Sequence, residues 1–177
     1  MRPTKKYESQ WRKAVAEFRS DSKSIKVWES LGDPDDIDVV ARNAKLHSQG
    51  KNLPKGWVPY DLYWLMDGEE LVGLVSLRHR LCADLMERGG HIGAEIVPSK
   101  RGKGYGSKLP GLLAPKFKAL GIKRILVTSF DDNALSYRII EKNGARLKDK
   151  VTAKGENKLS RRYWITTSKW KKPKAKK

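Results

Sequence analysis

The sequence predicts a mixed α/β domain with a largely antiparallel sheet and helices packed on its faces. Three observations predict it. Two early segments carry apolar residues at helical spacing, a central stretch alternates or turns as β-strand does, and the second half mixes β-branched runs with short amphipathic helices.

The elements follow in order. Tyr7, Trp11, Ala14, Val15 and Phe18 share one helical face over residues 7–19. Asp33-Pro34 reads as an N-cap and first-turn proline, and Ile37, Val40, Ala41 and Ala44 repeat after it at helical spacing. Residues 50–59, with two Gly and two Pro, read as a loop. YDLYWLM, the dipeptide Asp67-Gly68 and ELVGLVSLRHR predict a hairpin. GGHIGAEIVP predicts a third strand, with His91, Gly93, Glu95 and Val97 on one face and Ile92, Ala94 and Ile96 on the other. The basic, glycine-rich SKRGKGYGSK opens a helical stretch to Leu120 that Gly121 ends. Pro110 and Pro115 each remove a helical hydrogen bond, so that helix is expected to be kinked or broken. IKRILVTSF reads as a strand, DDNALSYRIIEKNG as a helix from an Asp or Asn cap to Gly144, and ARLKDKV and KLSRRYWITT as closing strands.

Composition narrows the function. The chain has 177 residues, 38% of them hydrophobic, with six Trp and six Tyr, which suits a packed core rather than disorder. A mean hydropathy of −0.66 and no apolar run of about 20 residues exclude a helical membrane span. MRPTKKYESQ lacks the apolar core of a secretory signal, and Cys82 is the one cysteine, so a cytoplasmic location is expected. Cys82 is expected to be a small buried residue outside the chemistry. No His, Cys, Asp and Glu spacing suggests a metal.

The formal charge is +18, which attracts polyanions. The last nine residues hold six lysines; removing those six leaves +12 on the body. Residues 1–167 are expected to form one domain, and 168–177 a solvated, disordered basic tail. A nucleic-acid or ribosome-associated binding module is therefore one reading. Arg161-Arg162-Tyr163-Trp164 and Lys169-Trp170-Lys171, which interleave aromatic and basic residues, favour weak nucleic-acid contact through the basic surface and tail.

Arg101-Gly102-Lys103-Gly104-Tyr105-Gly106 is the most informative segment. It joins a strand to a helix, whose N-terminus offers unpaired backbone N–H groups to an anion. Glycines let that backbone come close, and Lys100, Arg101 and Lys103 add charge, an arrangement suited to a pyrophosphate or otherwise a plain surface loop. Neither GxxxxGK[ST] nor GxGxxG is present.

The spacing of Arg101, Gly104 and Gly106, followed by a helix that begins at Asn133 and ends EKNGA, resembles the GNAT superfamily of N-acetyltransferases. VGLVSLRHRL, GGHIG, PSKRGKGYG and RRYWI extend the resemblance to a bacterial GNAT subfamily over about residues 7–166. The resemblance implies acetyl-CoA as co-substrate, lying between two splayed parallel strands, and direct transfer to an amine-bearing acceptor in a ternary complex. It assigns Ile96 and Val97 to the pantetheine arm and thioester carbonyl. It assigns Arg101, Gly102, Lys103, Gly104, Tyr105, Gly106 and Ser107 to the pyrophosphate, and Asn133 to the arm near the sulfur. Many relatives carry a tyrosine seven residues after that asparagine as the proton donor; here Ile140 stands there. Ser136, three after Asn133, and Tyr137 are the candidate acids, each also readable as a packing residue. An acyl-CoA sensor without turnover is a second alternative.

A lysine amine is neutral about once in 2,500 at pH 7, so such an acceptor needs a base. Glu95 is the leading candidate, with His91 beside it; a salt-bridged carboxylate and a structural histidine are their plainer readings. His79 and the Arg78/Arg80 pair are either surface residues or an anionic-substrate grip.

Overall fold

The computed structural model describes residues 1–24, 28–153 and 157–170. They group into two compact units, Met1–Arg78 with Gly93–Tyr105, and His79–Ile92 with the chain from Gly106 onward.

In the first unit, α1 (Glu8–Ser20) buries Trp11, Ala14, Val15 and Phe18, the face that the helical spacing marks. Strands β1 (Tyr60–Asp67), β2 (Glu70–Arg78) and β3 (Ile92–Ile96) form a sheet in that order. Trp11 stacks on Trp64 of β1 with ring centroids 5.4 Å apart and planes within 15°. The Trp11 indole N–H donates to the Pro34 carbonyl at 2.7 Å, so this large apolar body keeps its polar atom satisfied. β2 is buried without alternation from Leu71 to Leu77, as a middle strand covered on both faces is.

Three local expectations move slightly. Helix α2 (Ile37–Ser48) is capped by Asp36, whose carboxylate accepts from the amides of Asp38 and Val39. Asp33 instead closes a small turn by accepting from Asp35 N–H at 2.9 Å. The hairpin loop is Gly68-Glu69, because Asp67 already pairs with Glu70. Gly68, at φ +59°, takes the first central position that favours glycine. β2 ends at Arg78, two residues before the expected end.

In the second unit, β4 (Arg124–Phe130), β6 (Leu159–Thr166) and β5 (Arg146–Thr152) form an antiparallel sheet with β6 in the middle. A short helix α3 (Ala83–Glu87) follows β2, an element five residues long that periodicity did not mark. Cys82 precedes it and is half-buried rather than buried. Leu113 and Phe117 of the helix after the glycine-rich turn, Ile125 and Leu126 of β4, and Tyr163 and Ile165 of β6 are all buried. Gly90 allows a close approach: at φ +57°, a Cβ there would stand 2.4 Å from the Leu126 carbonyl oxygen. Trp170 is 7% exposed, its ring 6.0 Å from Phe117, and the rest of the expected tail, 171–177, lies outside the described residues.

Helix α4 (Tyr105–Ala119) is continuous through Pro110 and Pro115, so the expected break does not occur. Four residues before each proline, where its ring presses on a carbonyl, stands a glycine, Gly106 or Gly111. Glycine's loose backbone lets that carbonyl tilt away. Both α4 and α5 (Ala134–Lys142) end in the paired closing bonds of a left-handed glycine cap. Ile122 and Gly121 donate to Phe117 and Lys118, and Ala145 and Gly144 donate to Ile140 and Glu141.

One buried polar chain braces the loop after α2. His47, 2% exposed, has Nε2 3.0 Å from the Asn52 carbonyl and Nδ1 2.8 Å from the Tyr60 hydroxyl. A carbonyl only accepts, so Nε2 carries the proton and Nδ1 accepts from Tyr60. Tyr60 in turn lies 3.0 Å from the Ser30 hydroxyl. Burial pushes the His47 pKa down and the Tyr60 pKa up. The folded protein therefore favours neutral His47, whereas the unfolded chain protonates near the usual value of about 6.5. This contribution is present above that pH and is lost as pH falls below it. Urea midpoints at pH 8 and pH 5.5 should show the loss, and His47→Gln should shrink it; an unchanged pH dependence in the variant would assign it elsewhere.

Candidate active site

The turn after β3 is built in three steps. Pro98–Lys100 makes one tight helical turn, closed by Lys100 N–H to the Val97 carbonyl at 2.8 Å and Arg101 N–H to the Pro98 carbonyl at 3.2 Å. Gly102 at φ +77° and Gly104 at φ +82° then bracket Lys103 in a conformation that L-residues with side chains avoid. Helix α4 starts directly after, at Tyr105. Residues 101–104 are exposed.

Four carboxylates hold this turn. Asp21, at the end of α1, pairs with Arg101 at 2.6 Å, and the guanidinium keeps the Asp21 carboxyl below the usual carboxylate range. Arg101 Nε also donates to the Ile96 carbonyl at 3.2 Å. Glu17, one turn earlier in α1, accepts from the Ser99 amide at 2.8 Å and from its hydroxyl at 2.9 Å. From the hairpin tip, Glu70 pairs with Lys100 and Asp67 accepts from the Tyr105 hydroxyl at 2.7 Å. That bond to Asp67 raises the Tyr105 pKa. Lys103 makes no ion pair among the described residues. Sequence reading missed all four acids: Glu17 and Asp21 lie about 80 residues upstream, and only the hairpin placed Asp67 and Glu70 near a turn at all.

Strand β3 keeps the expected alternation. Glu95 and Val97 are 5% and 2% exposed, Gly93 is buried between strands, and Ala94 is exposed. Val97 N–H is committed to the Val72 carbonyl at 3.1 Å. Its own carbonyl, bonded by Lys100, keeps a second lone pair. His91, 6% exposed, takes the structural alternative: Nδ1 accepts from Leu126 N–H at 3.0 Å, and the ring stands edge-on to Phe117.

At the start of α5, Asn133 is the N-cap and its side-chain oxygen accepts from Ser136 N–H at 3.1 Å. Its Nδ2 has no hydrogen-bond partner among the described residues. Ser136 is half-buried. Tyr137 is too, and its ring lies under the Arg161 guanidinium, 3.8 Å from the ring centroid. Arg161 itself bonds Asp131, and its pKa is raised by Tyr163 and Asp131. Arg162 is gripped by both oxygens of Asp149 at 2.6 Å, and Tyr163 is fully buried. With Tyr163 and Trp170 buried and Arg161 and Arg162 paired, Trp164 and exposed Lys169 are what the described residues leave of the two sequence stretches that suggested nucleic-acid contact; Lys171 lies outside the described residues.

Among the described residues, no group of three His, Cys, Asp or Glu could hold a metal ion, and no helix is long and apolar enough to cross a membrane. The turn itself fits a pyrophosphate: two left-handed glycines expose its backbone, an unpaired Lys103 stands between them, and a helix begins behind it.

Comparison with known proteins agrees. A comparison with curated proteins gives no match. Among solved structures, an acetyltransferase of the GNAT family from Bacillus anthracis superposes with a TM-score of 0.58 at 24% identity, over 91% of each chain. RimL, a ribosomal alpha-N-protein acetyltransferase in complex with coenzyme A, gives 0.63 at 15% identity, over 93% of this chain and 92% of that one. The spermidine N-acetyltransferase SpeG from Vibrio cholerae gives 0.59 at 17%, over 92% of each. The family model described as acetyltransferase (GNAT) domain matches residues 5–146. The chain belongs to the GNAT acetyltransferases, enzymes that use acetyl-CoA.

Proposed function

We propose that this protein transfers acetyl from acetyl-CoA directly to a primary amine, with both substrates bound before the chemistry. The observation that supports it is the exposed strand-to-helix turn, with Gly102 and Gly104 left-handed on either side of Lys103. Cys82, the one cysteine, lies before α3 and outside the cofactor motif, which favours direct transfer over an acetyl-enzyme.

Acetyl-CoA supplies the acetyl group as an activated thioester. The backbone of Arg101, Gly102, Lys103, Gly104, Tyr105, Gly106 and Ser107 holds the pyrophosphate, with the Lys103 ammonium as the uncompensated charge. Ile96 and Val97 guide the pantetheine arm, Val97 through the free lone pair of its carbonyl. Asn133 offers its Nδ2 hydrogens to the arm, since its oxygen caps α5. Glu95 takes the proton of the incoming amine. Ser136 gives a proton to the departing thiolate, with Tyr137 as the alternative donor. Positioning and backbone stabilisation of the oxyanion supply most of the acceleration. The net charge of +18 disfavours polycationic acceptors by repulsion.

Two variants test the turn by calorimetry with acetyl-CoA, with desulfo-CoA as control. Gly104→Glu puts a side chain at φ +82° and a carboxylate against the pyrophosphate, and should abolish saturable binding; unchanged affinity would remove the site from this turn. Asp21→Asn releases Arg101 from its carboxylate and should tighten binding by up to about fivefold, the scale of an exposed ion pair. Weaker binding would mean that Asp21 orients Arg101 instead of competing for it.

The chemistry has its own test. Ser136→Ala should lower kcat by about 100-fold or more while leaving acetyl-CoA affinity unchanged. A full rate in that variant with a loss in Tyr137→Phe would move the proton donor to Tyr137.

A further inference from the structure

The outer face of the β4–β6–β5 sheet holds an open groove of about 530 Å³ that acetyl transfer does not use. Arg124, Arg146, Leu147, Lys148, Trp164, Ile165 and Thr166 line it, with no carboxylate among the lining residues. The register explains the assembly. Trp164 on the central strand faces Arg146 of β5 and Leu126 of β4, while Arg124 pairs with Thr166, two residues along from Trp164. Tyr163, between Arg162 and Trp164 in β6, is fully buried. The Arg124 guanidinium lies over the Trp164 ring, 5.0 Å from its centroid.

Most of the charge of this face lacks an ion-pair partner among the described residues. Arg124 and Arg146 make no ion pair among the described residues. Lys148 reaches only Asp149, at 3.8 Å, and that carboxylate is already held by both donors of Arg162. Leu147, 44% exposed, adds an apolar ledge. The surface thus joins three solvent-facing cations to a flat stack of indole and guanidinium.

We infer that this groove binds single-stranded nucleic acid. Phosphates meet Arg124, Arg146 and Lys148, and an unpaired base stacks on the Trp164–Arg124 pile. A duplex hides its base faces and would use only the charges. The Asp and Glu side chains that give an acidic peptide its charge carry no ring to place on the stack. The overall +18 charge draws the polyanion in. This inference is independent of acetyl transfer, and so is its test.

Fluorescence anisotropy of the full chain with a labelled 12-nucleotide oligouridylate, read across a salt series, provides that test. A triple variant, Arg124→Gln with Arg146→Gln and Lys148→Gln, should lose at least tenfold in affinity. Its log–log salt slope should fall by about two, from about 0.7 per phosphate contact. Trp164→Leu should weaken binding about tenfold and leave the slope unchanged. Trp164→Phe should retain most of the affinity, which separates stacking from a folding defect. A control triple on exposed lysines elsewhere, Lys13→Gln with Lys55→Gln and Lys118→Gln, should lose less than about threefold. Equal losses in the two triples would overturn the groove in favour of charge at large. Equal binding of a polyglutamate of matched charge would overturn the nucleic-acid assignment, as would full affinity in Trp164→Leu.

Discussion

The glycine turn proposed to hold the cofactor depends on where α1 lies, and α1 is seated by the stacking of Trp11 on Trp64. Two indoles 5.4 Å apart, one from a helix and one from the first strand, fix both the height and the rotation of the helix. The Trp11 N–H bond to Pro34 removes the remaining freedom of rotation. The C-terminal end of α1 is then committed, and its acids with it. Glu17 meets Ser99, and Asp21 meets Arg101. A core contact with no chemical role thereby sets the electrostatics of a glycine turn.

That arrangement resolves a conflict within the turn. Lys100, Arg101 and Lys103 crowd three positive charges into four residues, next to a helix start that is itself positive. Without a ligand, their repulsion would spread the turn, and glycines offer no resistance to spreading. Asp21 and Glu70 each take one cation, and Asp67 and Glu17 fasten the flanking Tyr105 and Ser99. Lys103, between the left-handed glycines, makes no ion pair among the described residues. The turn is thus ordered beforehand, so little ordering entropy remains to be lost on binding.

Much of this was legible in local sequence because it is set by local rules. The Asn133 cap, the Gly121 and Gly144 closures and the His91–Val97 alternation depend on neighbours a few residues away. Asp33 misled because Asp33, Asp35, Asp36 and Asp38 compete to cap the same helix, and only Asp36 reaches the amides of its first turn. The continuity of α4 was readable in principle from the glycine four residues before each proline, but a rule that treats each proline alone does not see it. The carboxylate clasp was not readable, since nothing local in Glu17 or Asp21 distinguishes them from solvent-facing helix acids.

The same separation of local from tertiary information governs the basic charge. Counting residues gives +18, yet the structure divides those cations by partner rather than by position in the chain. Arg161 and Arg162, adjacent to aromatics and therefore the most suggestive in sequence, are spent on Asp131 and Asp149. Arg124 and Arg146, unremarkable in sequence, converge on Trp164 only because β6 lies between β4 and β5. The antiparallel register sets Arg146 opposite Trp164 and Arg124 opposite Thr166, one diagonal step away. A strand order of β4–β5–β6 would have separated Arg124 from Trp164 by a full strand. The sheet topology, more than the charge total, decides where this protein presents an anion-binding face.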